Sequence, residues 1–149
     1  MSDQKPTAAE RIKAQTDKRN ARNATEARAR EEQLATDLEA IAVLEEDKGV
    51  RIYYSSQVRN YVAGQPVIVG IRAPSEGEYK RLFSKMNNTK GHSDAKVAAH
   101  VELADVVWMY PQDPSSRRAM IEANAGLLAS VGNFATKLAE VDVEEEGKG

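Results

Sequence analysis

The chain has 149 residues, which suits one domain, and 30% of them are charged while only 5% are aromatic. Its formal net charge of −2 excludes a general attraction to nucleic acid or to anionic membranes, and the lack of cysteine excludes disulfides, thiol nucleophiles and cysteine-bound metals. No apolar run approaches the roughly 18 residues of a membrane helix, so we expect a soluble protein with no secretion signal and no membrane contact.

Residues 1–30 carry eight basic and four acidic side chains, a net charge of +4, and their one large aliphatic residue beyond Met1 is Ile12. Ala, Arg, Glu and Gln favour helix, but no apolar stripe is available to pack that helix on a core. We therefore predict a basic arm over residues 1–30 that is disordered or partly helical and that orders on a partner.

An apolar repeat runs from Leu34 to Leu44 at helical spacing, and Gly49 supplies a stop. This pattern predicts an amphipathic helix over residues 31–49. Two interpretations stay open. The pattern slightly favours packing against the following domain, and the alternative is a short coiled-coil seam that would join copies into a homo-oligomer.

Residues 50–141 have the composition of a globular α+β domain. Val, Ile and Tyr alternate with polar residues from Val50 to Ile71, and Gly64-Gln65-Pro66 marks a turn, so we predict an antiparallel sheet of two or three strands there. Four helices are predicted to follow. The predicted fold class is α+β, a small antiparallel sheet followed by a four-helix cluster and preceded by a long charged N-terminal helix or disordered arm.

Each of the four helices has a recognisable start, namely a capping box, two further capping side chains and a glycine break. The apolar stripe of the second helix is predicted to run to Trp108, and Pro111 to end that helix. Residues 142–149, with a net charge of −3, are predicted to form an acidic disordered segment. The start signals are, in chain order, Ser75 with Glu78, Ser93, Asp113 with Pro114, and Gly126.

Catalytic chemistry finds no support in the sequence. The two histidines, His92 and His100, do not have a spacing that would bring metal ligands onto one helix face. No serine-nucleophile elbow, phosphate loop or dinucleotide fingerprint occurs. We predict no enzymatic activity and no catalytic, cofactor-binding or metal-binding residues.

Nucleic-acid binding has partial support, because the basic arm and the pairs Lys80-Arg81 and Arg117-Arg118 could contact phosphates. Against it, the arm has no aromatic side chain to stack on bases, and acidic residues interrupt it. Nucleic acid is therefore not the partner that we expect, and a nucleic-acid-binding accessory role is the last of the alternatives.

Three stretches of the domain form a recognisable set: VIVGIRAPSEGEYKRLF, LADVVWMYP and AGLLASVGNFATKLA. With these stretches, residues 48–140 resemble a bacteriophage family of tail assembly chaperones and related small tail proteins. The chain departs from the family in its long N-terminal extension and in Ala125, where proline is common. The positions that match are Arg72, Pro74, Ser75, Glu78, Tyr79, Tyr110, Pro111, Gly126 and Leu127.

The resemblance implies a non-enzymatic protein that binds a tape-measure or tube subunit of the phage tail during assembly in the host cytoplasm. A small α+β module can offer an apolar groove to the long amphipathic helix of such a partner. The side chains predicted to contact that partner are aromatic, methionine or paired arginine residues. They are Tyr79, Phe83, Met86, Trp108, Arg117 and Arg118.

The first alternative is a structural subunit of the virion, at the tail, the neck or the head. Such a subunit would use its N-terminal arm to contact its neighbours, and it would be found in the finished virion as well as in the host cytoplasm.

Overall fold

The computed structural model describes the backbone of residues 4–88 and 93–148, and the chain divides into two units, Met1–Glu32 and Gln33–Gly149. The predicted fold class is confirmed, since the described ranges form five helices and one small antiparallel sheet. The predicted cap at Ser93 and the histidine at 92 lie outside the side chains that are described. The elements are α1 (Ala8–Lys48), β1 (Gly70–Ile71), α2 (Glu76–Asn88), α3 (Ser93–Val107), β2 (Trp108–Tyr110), α4 (Pro114–Ala123) and α5 (Leu127–Lys148).

Helix α1 begins with a capping box that the sequence patterns did not predict. The backbone N–H of Glu10 donates to Thr7 Oγ1 at 3.1 Å, and the Thr7 N–H donates to Glu10 Oε2 at 3.3 Å. Every described residue from 4 to 28 is exposed, so helix propensity and local pairs support this stretch in place of packing. The sequence left disorder and partial helix open here, and the structure has helix from Ala8 onward.

The C-terminal part of α1 is held by burial. Ile41 and Leu44 are buried, and the helix ends at Gly49, whose φ of 65° is the left-handed conformation that glycine adopts readily. The Gly49 N–H donates to the Glu45 carbonyl at 2.8 Å. The predicted glycine stop is confirmed. Because packing already fixes this part as helix, each residue added toward the N-terminus costs no new nucleation.

Asp37 lies on the buried face of α1 and has no exposed surface. Its carboxylate accepts three hydrogen bonds: from the Val67 N–H at 2.8 Å, from Gln33 Nε2 at 2.9 Å and from the Tyr110 hydroxyl at 2.5 Å. Burial, together with the hydrogen bond to Asp37, raises the pKa of the Tyr110 hydroxyl, so this group stays a donor. The carboxylate therefore ties α1 to the segment before β1 and to the end of β2.

The sheet differs in its pairing from the prediction. β1 pairs antiparallel with β2, with Ile71 opposite Trp108, and Tyr53 adds an isolated bridge to Ile71 on the other side. The sequence patterns instead placed all of the strands between residues 50 and 71 and continued the helix before Pro111 through Trp108. Both predictions are wrong, because β2 begins at Trp108. The physical reason is Pro111, which disfavours the helical conformation at Tyr110, so the chain leaves the helix and residues 108–110 pair with β1. The turn predicted at Gly64 is confirmed by its φ of 80°.

Helix α3 packs on α2 and, most extensively, on α5. The approach to α5 is close at Gly132, where an added Cβ would lie 2.0 Å from the His100 carbonyl oxygen. Only glycine allows the two backbones to come this near. The buried core residues are Ile41, Leu44, Ile52, Val58, Val67, Ile68, Val69, Ile71, Leu82, Ala99, Leu103, Ala104, Val107, Met120, Val131 and Ala135.

Helix α4 begins as predicted, with Asp113 as its N-cap and Pro114 in its first turn. The Asp113 carboxylate accepts from the Ser116 N–H at 3.2 Å. Helix α5 continues to Lys148, so the backbone is helical over most of the segment that was predicted to be disordered from residue 142.

Replacement of Gly132 by alanine should lower the free energy of unfolding by at least about 2 kcal/mol, because α3 and α5 must separate to admit the Cβ. Gly77→Ala is the matched control, since a Cβ there meets nothing within 4 Å and alanine favours helix by roughly 0.5–1 kcal/mol. Urea denaturation of both variants tests this. Equal stability of the two would show that α3 and α5 do not meet at Gly132.

Asp37→Asn should cost about 3 kcal/mol and Tyr110→Phe about 1–2 kcal/mol, because each leaves a buried partner unsatisfied. The double variant should cost less than the sum by at least about 1 kcal/mol, because the two side chains share a hydrogen bond. Asp47→Asn, at an exposed carboxylate of the same helix, should change stability by less than about 0.5 kcal/mol. Additive losses in this double-mutant cycle would contradict the contact.

Candidate functional site

A groove of about 530 Å³ lies between residues 55–60, which have no regular secondary structure, and the start of α5. Its floor is apolar and comes from three distant parts of the chain, which the fold brings together through the sheet and α5. A volume of this order is within the range of ligand-binding clefts in proteins, roughly 300–1,000 Å³. The apolar lining residues are Val58, Val69, Ile71, Leu127, Val131 and Phe134.

Two asparagines join the walls of the groove. The Asn60 N–H donates to Asn124 Oδ1 at 2.9 Å, and Asn124 Nδ2 donates back to the Asn60 carbonyl at 3.0 Å. Asn60 Nδ2 also donates to the Ala123 carbonyl at 2.9 Å. Asn124 is buried and caps α4, so this reciprocal pair fixes residues 55–60 against the joint between α4 and α5.

The rim of the groove is polar and carries little charge. Ser55, Ser56, Gln57 and Ser130 line it, and Arg59 is the one charged residue among its lining. The backbone N–H groups of residues 54–57 form no hydrogen bond within the described part of the chain, and these residues are exposed. No carboxylate, imidazole or thiol lines this groove, so its surface offers apolar contact and hydrogen bonds.

A smaller hollow of about 130 Å³ separates α2 from α3. Its apolar lining includes Leu82, Leu103 and Val106. Two basic side chains of α2 bridge it, because Lys85 and Arg81 both form ion pairs with Glu102 of α3, the second at 3.3 Å. The hydrogen bond from Lys85 lowers the pKa of the half-buried Glu102. This hollow has room for one or two aliphatic groups.

None of the six residues predicted to contact a partner lines the groove. Tyr79 and Phe83 stack on α2 with ring centroids 6.3 Å apart. Phe83 is 54% exposed, whereas Met86 is partly buried against the core. Part of this predicted surface is therefore accessible and part of it is packing.

Trp108 and Arg117 form a second group. The Trp108 indole N–H donates to the Pro111 carbonyl at 2.8 Å, and the Arg117 guanidinium lies 4.6 Å from the centroid of the indole ring. Arg117 also forms an ion pair with Asp105. Arg118, its neighbour, is exposed and forms no ion pair or hydrogen bond within the described residues. Of the two arginines, only Arg118 therefore projects without a partner among the described residues.

The residues that carry the resemblance at the start of α2 form one network. Arg72 donates two hydrogen bonds to the Glu78 carboxylate, at 2.7 and 2.8 Å, and the Ser75 N–H donates to the same carboxylate at 2.8 Å. The Arg72 hydrogen bond lowers the pKa of Glu78 to about 2. The predicted capping box is confirmed, and its role is to join the end of β1 to α2.

His100 is the one histidine whose side chain the structure describes. His100 Nδ1 lies 2.8 Å from the Lys96 carbonyl of the preceding helical turn. In the described ranges no three His, Cys, Asp or Glu side chains converge as metal ligands. Those ranges also contain no helix that is both long enough and apolar enough to cross a membrane.

Comparisons of the chain with protein families, with curated proteins and with solved structures find no match. The sequence signals that would have indicated the groove are local ones. They are the alternation of polar and apolar residues around Val58 and the Ala-Gly-Leu joint at residues 125–127. Neither segment alone indicates that the two are in contact in the fold.

Lowering the pH should weaken the fold partly through Glu78. Its folded pKa of about 2 is below its ordinary value of 4.5, so its contribution to stability is full above about pH 5 and is lost as the pH falls toward 2. The stability difference between the wild type and Glu78→Gln should therefore be greatest near neutral pH and shrink on acidification. A difference that stayed constant from pH 7 to pH 2.5 in urea titrations would contradict the ion pair.

Proposed function

We propose that this protein is a non-enzymatic assembly factor that binds a tail protein, a tape-measure or tube subunit, during bacteriophage morphogenesis in the host cytoplasm. The resemblance over residues 48–140 supports the biological setting. The groove between residues 55–60 and α5 is the observation that carries the binding role, because it combines an apolar floor with a polar rim.

The groove would receive the apolar face of an amphipathic segment. Aliphatic side chains of the partner would contact Val69, Val131 and Phe134 on the floor. The N–H groups of residues 55–57, which form no hydrogen bond within the described part of the chain, would bind polar groups at the edge of the groove. Since Asn60 and Asn124 fix the walls in advance, the partner would bind without a large ordering cost on this side.

The exposed residues among the original candidates would extend the contact beyond the groove. Phe83 presents more than half of its surface, and Arg118 has no intramolecular partner within the described residues. Trp108 and Arg117 are engaged with each other, so we assign them a supporting part in holding β2 against α4.

A structural virion subunit is the second candidate. The observation that favours it is the helical arm, whose residues 8–28 are exposed throughout and could contact a neighbouring subunit. A virion subunit would be retained in finished particles, whereas an assembly factor would be released from them.

The test is affinity purification of the full chain from phage-producing cells, with mass spectrometry of the bound proteins. We expect a long helical tail protein to be enriched with the wild type. Ser130→Arg, which fills the groove from an exposed position, should reduce that enrichment at least about tenfold, or roughly 1.4 kcal/mol of binding. Ser84→Arg, an equal change at an exposed position of α2 outside the groove, should leave the enrichment unchanged.

Three results would contradict this proposal. Purified virions that contain the protein in stoichiometric amount would favour the structural subunit. Equal binding by Ser130→Arg and the wild type would exclude the groove. Enrichment of no tail protein by a folded wild-type chain would exclude the assembly role.

A further inference from the structure

The basic arm is helical, so its charged side chains are sorted by helix face and not by their order in the sequence. At about 100° per residue, Arg11, Lys18 and Arg22 lie within about 40° of one another around α1. Glu10 and Asp17, which interrupt the arm in the sequence, project roughly 100–120° away from Arg11. We call Arg11, Lys18 and Arg22 the cationic stripe.

The cationic stripe carries charge that the described part of the chain does not neutralise. Its three side chains are exposed and form no ion pair or hydrogen bond with any described residue. Farther along the arm, by contrast, the charge of Arg30 is neutralised by an ion pair with Glu26 at 3.3 Å. The stripe therefore presents three uncompensated positive charges in a row.

The surroundings of the stripe select among anionic partners. Ile12 is the one large aliphatic side chain of the arm, and it projects about 100° from Arg11. An amphipathic membrane helix, or a helix that docks in a protein groove, needs an apolar face that this arm lacks. A phosphodiester backbone is bound by cations and neutral polar donors alone, and Gln15 supplies such a donor beside the stripe.

The form of nucleic acid follows from the same composition. Proteins that bind single strands stack bases on aromatic side chains, and residues 1–30 contain none. From Arg11 to Arg22 the helix rises about 16 Å, which equals about five base-pair steps of a duplex. Glu10 and Asp17 lie on other faces of α1, and Glu26, one turn beyond Arg22, forms an ion pair with Arg30, so no acidic residue between Arg11 and Arg22 opposes a duplex that runs along the stripe.

We propose that the cationic stripe binds the phosphodiester backbone of a nucleic-acid duplex without regard to base sequence. This activity is separate from the groove and does not depend on the proposed assembly role, since the stripe lies in the unit Met1–Glu32 and the groove in the unit Gln33–Gly149.

The experiment measures the binding of the full chain to a mixed-sequence DNA duplex by fluorescence anisotropy at several salt concentrations. Three phosphate contacts predict a slope of log K against log salt of about −2.7 for the wild type. The double variant R11Q/R22Q should flatten the slope by about 1.8. The matched variant K13Q/R28Q removes the same charge from other faces of the exposed arm and should change the slope by less than about 0.5.

Two further measurements separate charge from structure. Circular dichroism should show equal helix content in both double variants. The variant R11K/R22K, which keeps the charge, should restore the slope even if helix content falls in R11Q/R22Q.

Lack of binding to the duplex at low salt would overturn the proposal. Equal flattening of the slope in R11Q/R22Q and K13Q/R28Q would overturn it as well, because the stripe would then be no different from the other faces of the arm. Stripe-dependent binding to vesicles of anionic phospholipid that is tighter than binding to the duplex would also contradict it.

Discussion

The larger unit, Gln33–Gly149, depends on the hydrogen bonds that the buried carboxylate of Asp37 accepts. This carboxylate has no access to water, and its hydrogen bonds come from Gln33, Val67 and Tyr110, so α1, the segment before β1 and the end of β2 meet at one group. A buried charge is tolerated only where its hydrogen bonds are complete, and the loss of one of them exposes the full cost of desolvation. The position of α1 along the sheet is therefore strongly specified. An apolar residue in place of Asp37 would leave the Val67 N–H without an acceptor.

The groove follows from this arrangement. Val69 is two residues beyond Val67, so the contact that positions Val67 also positions part of the floor, and the asparagine pair joins the walls. The carboxylate in the core is fully paired, whereas polar groups at the rim of the groove and on the arm are left for partners. This contrast separates the residues that stabilise the fold from those that are available for binding. It also explains why the motif residues Arg72 and Glu78, despite their charge, serve to join two elements.

Local signals in the sequence predicted the boundaries well because their partners lie within a few positions. The stop at Gly49, the box at Ser75 and the cap at Asp113 are examples. What the sequence did not disclose depends on distant pairing. The strand at Trp108 forms because β1 lies beside it, and Asp37 is buried where Val67 and Tyr110, two partners from far along the chain, meet α1. The groove was missed for the same reason, since three separate segments build it. In the arm, Glu10 and Asp17 interrupt the basic residues along the sequence. They do not interrupt the helix face that carries the cationic stripe.

Native-state hydrogen exchange of the Val67 amide tests most directly whether Asp37 holds the larger unit together, because this N–H donates to the Asp37 carboxylate inside the core. We predict that it exchanges only when the larger unit unfolds, with the same free energy and the same urea dependence as the amides of the core helix α3. The exposed amides of residues 11–28 should exchange much faster. If Val67 exchanged through a local opening, at a rate close to that of the arm, the carboxylate would not be the group that holds this fold together.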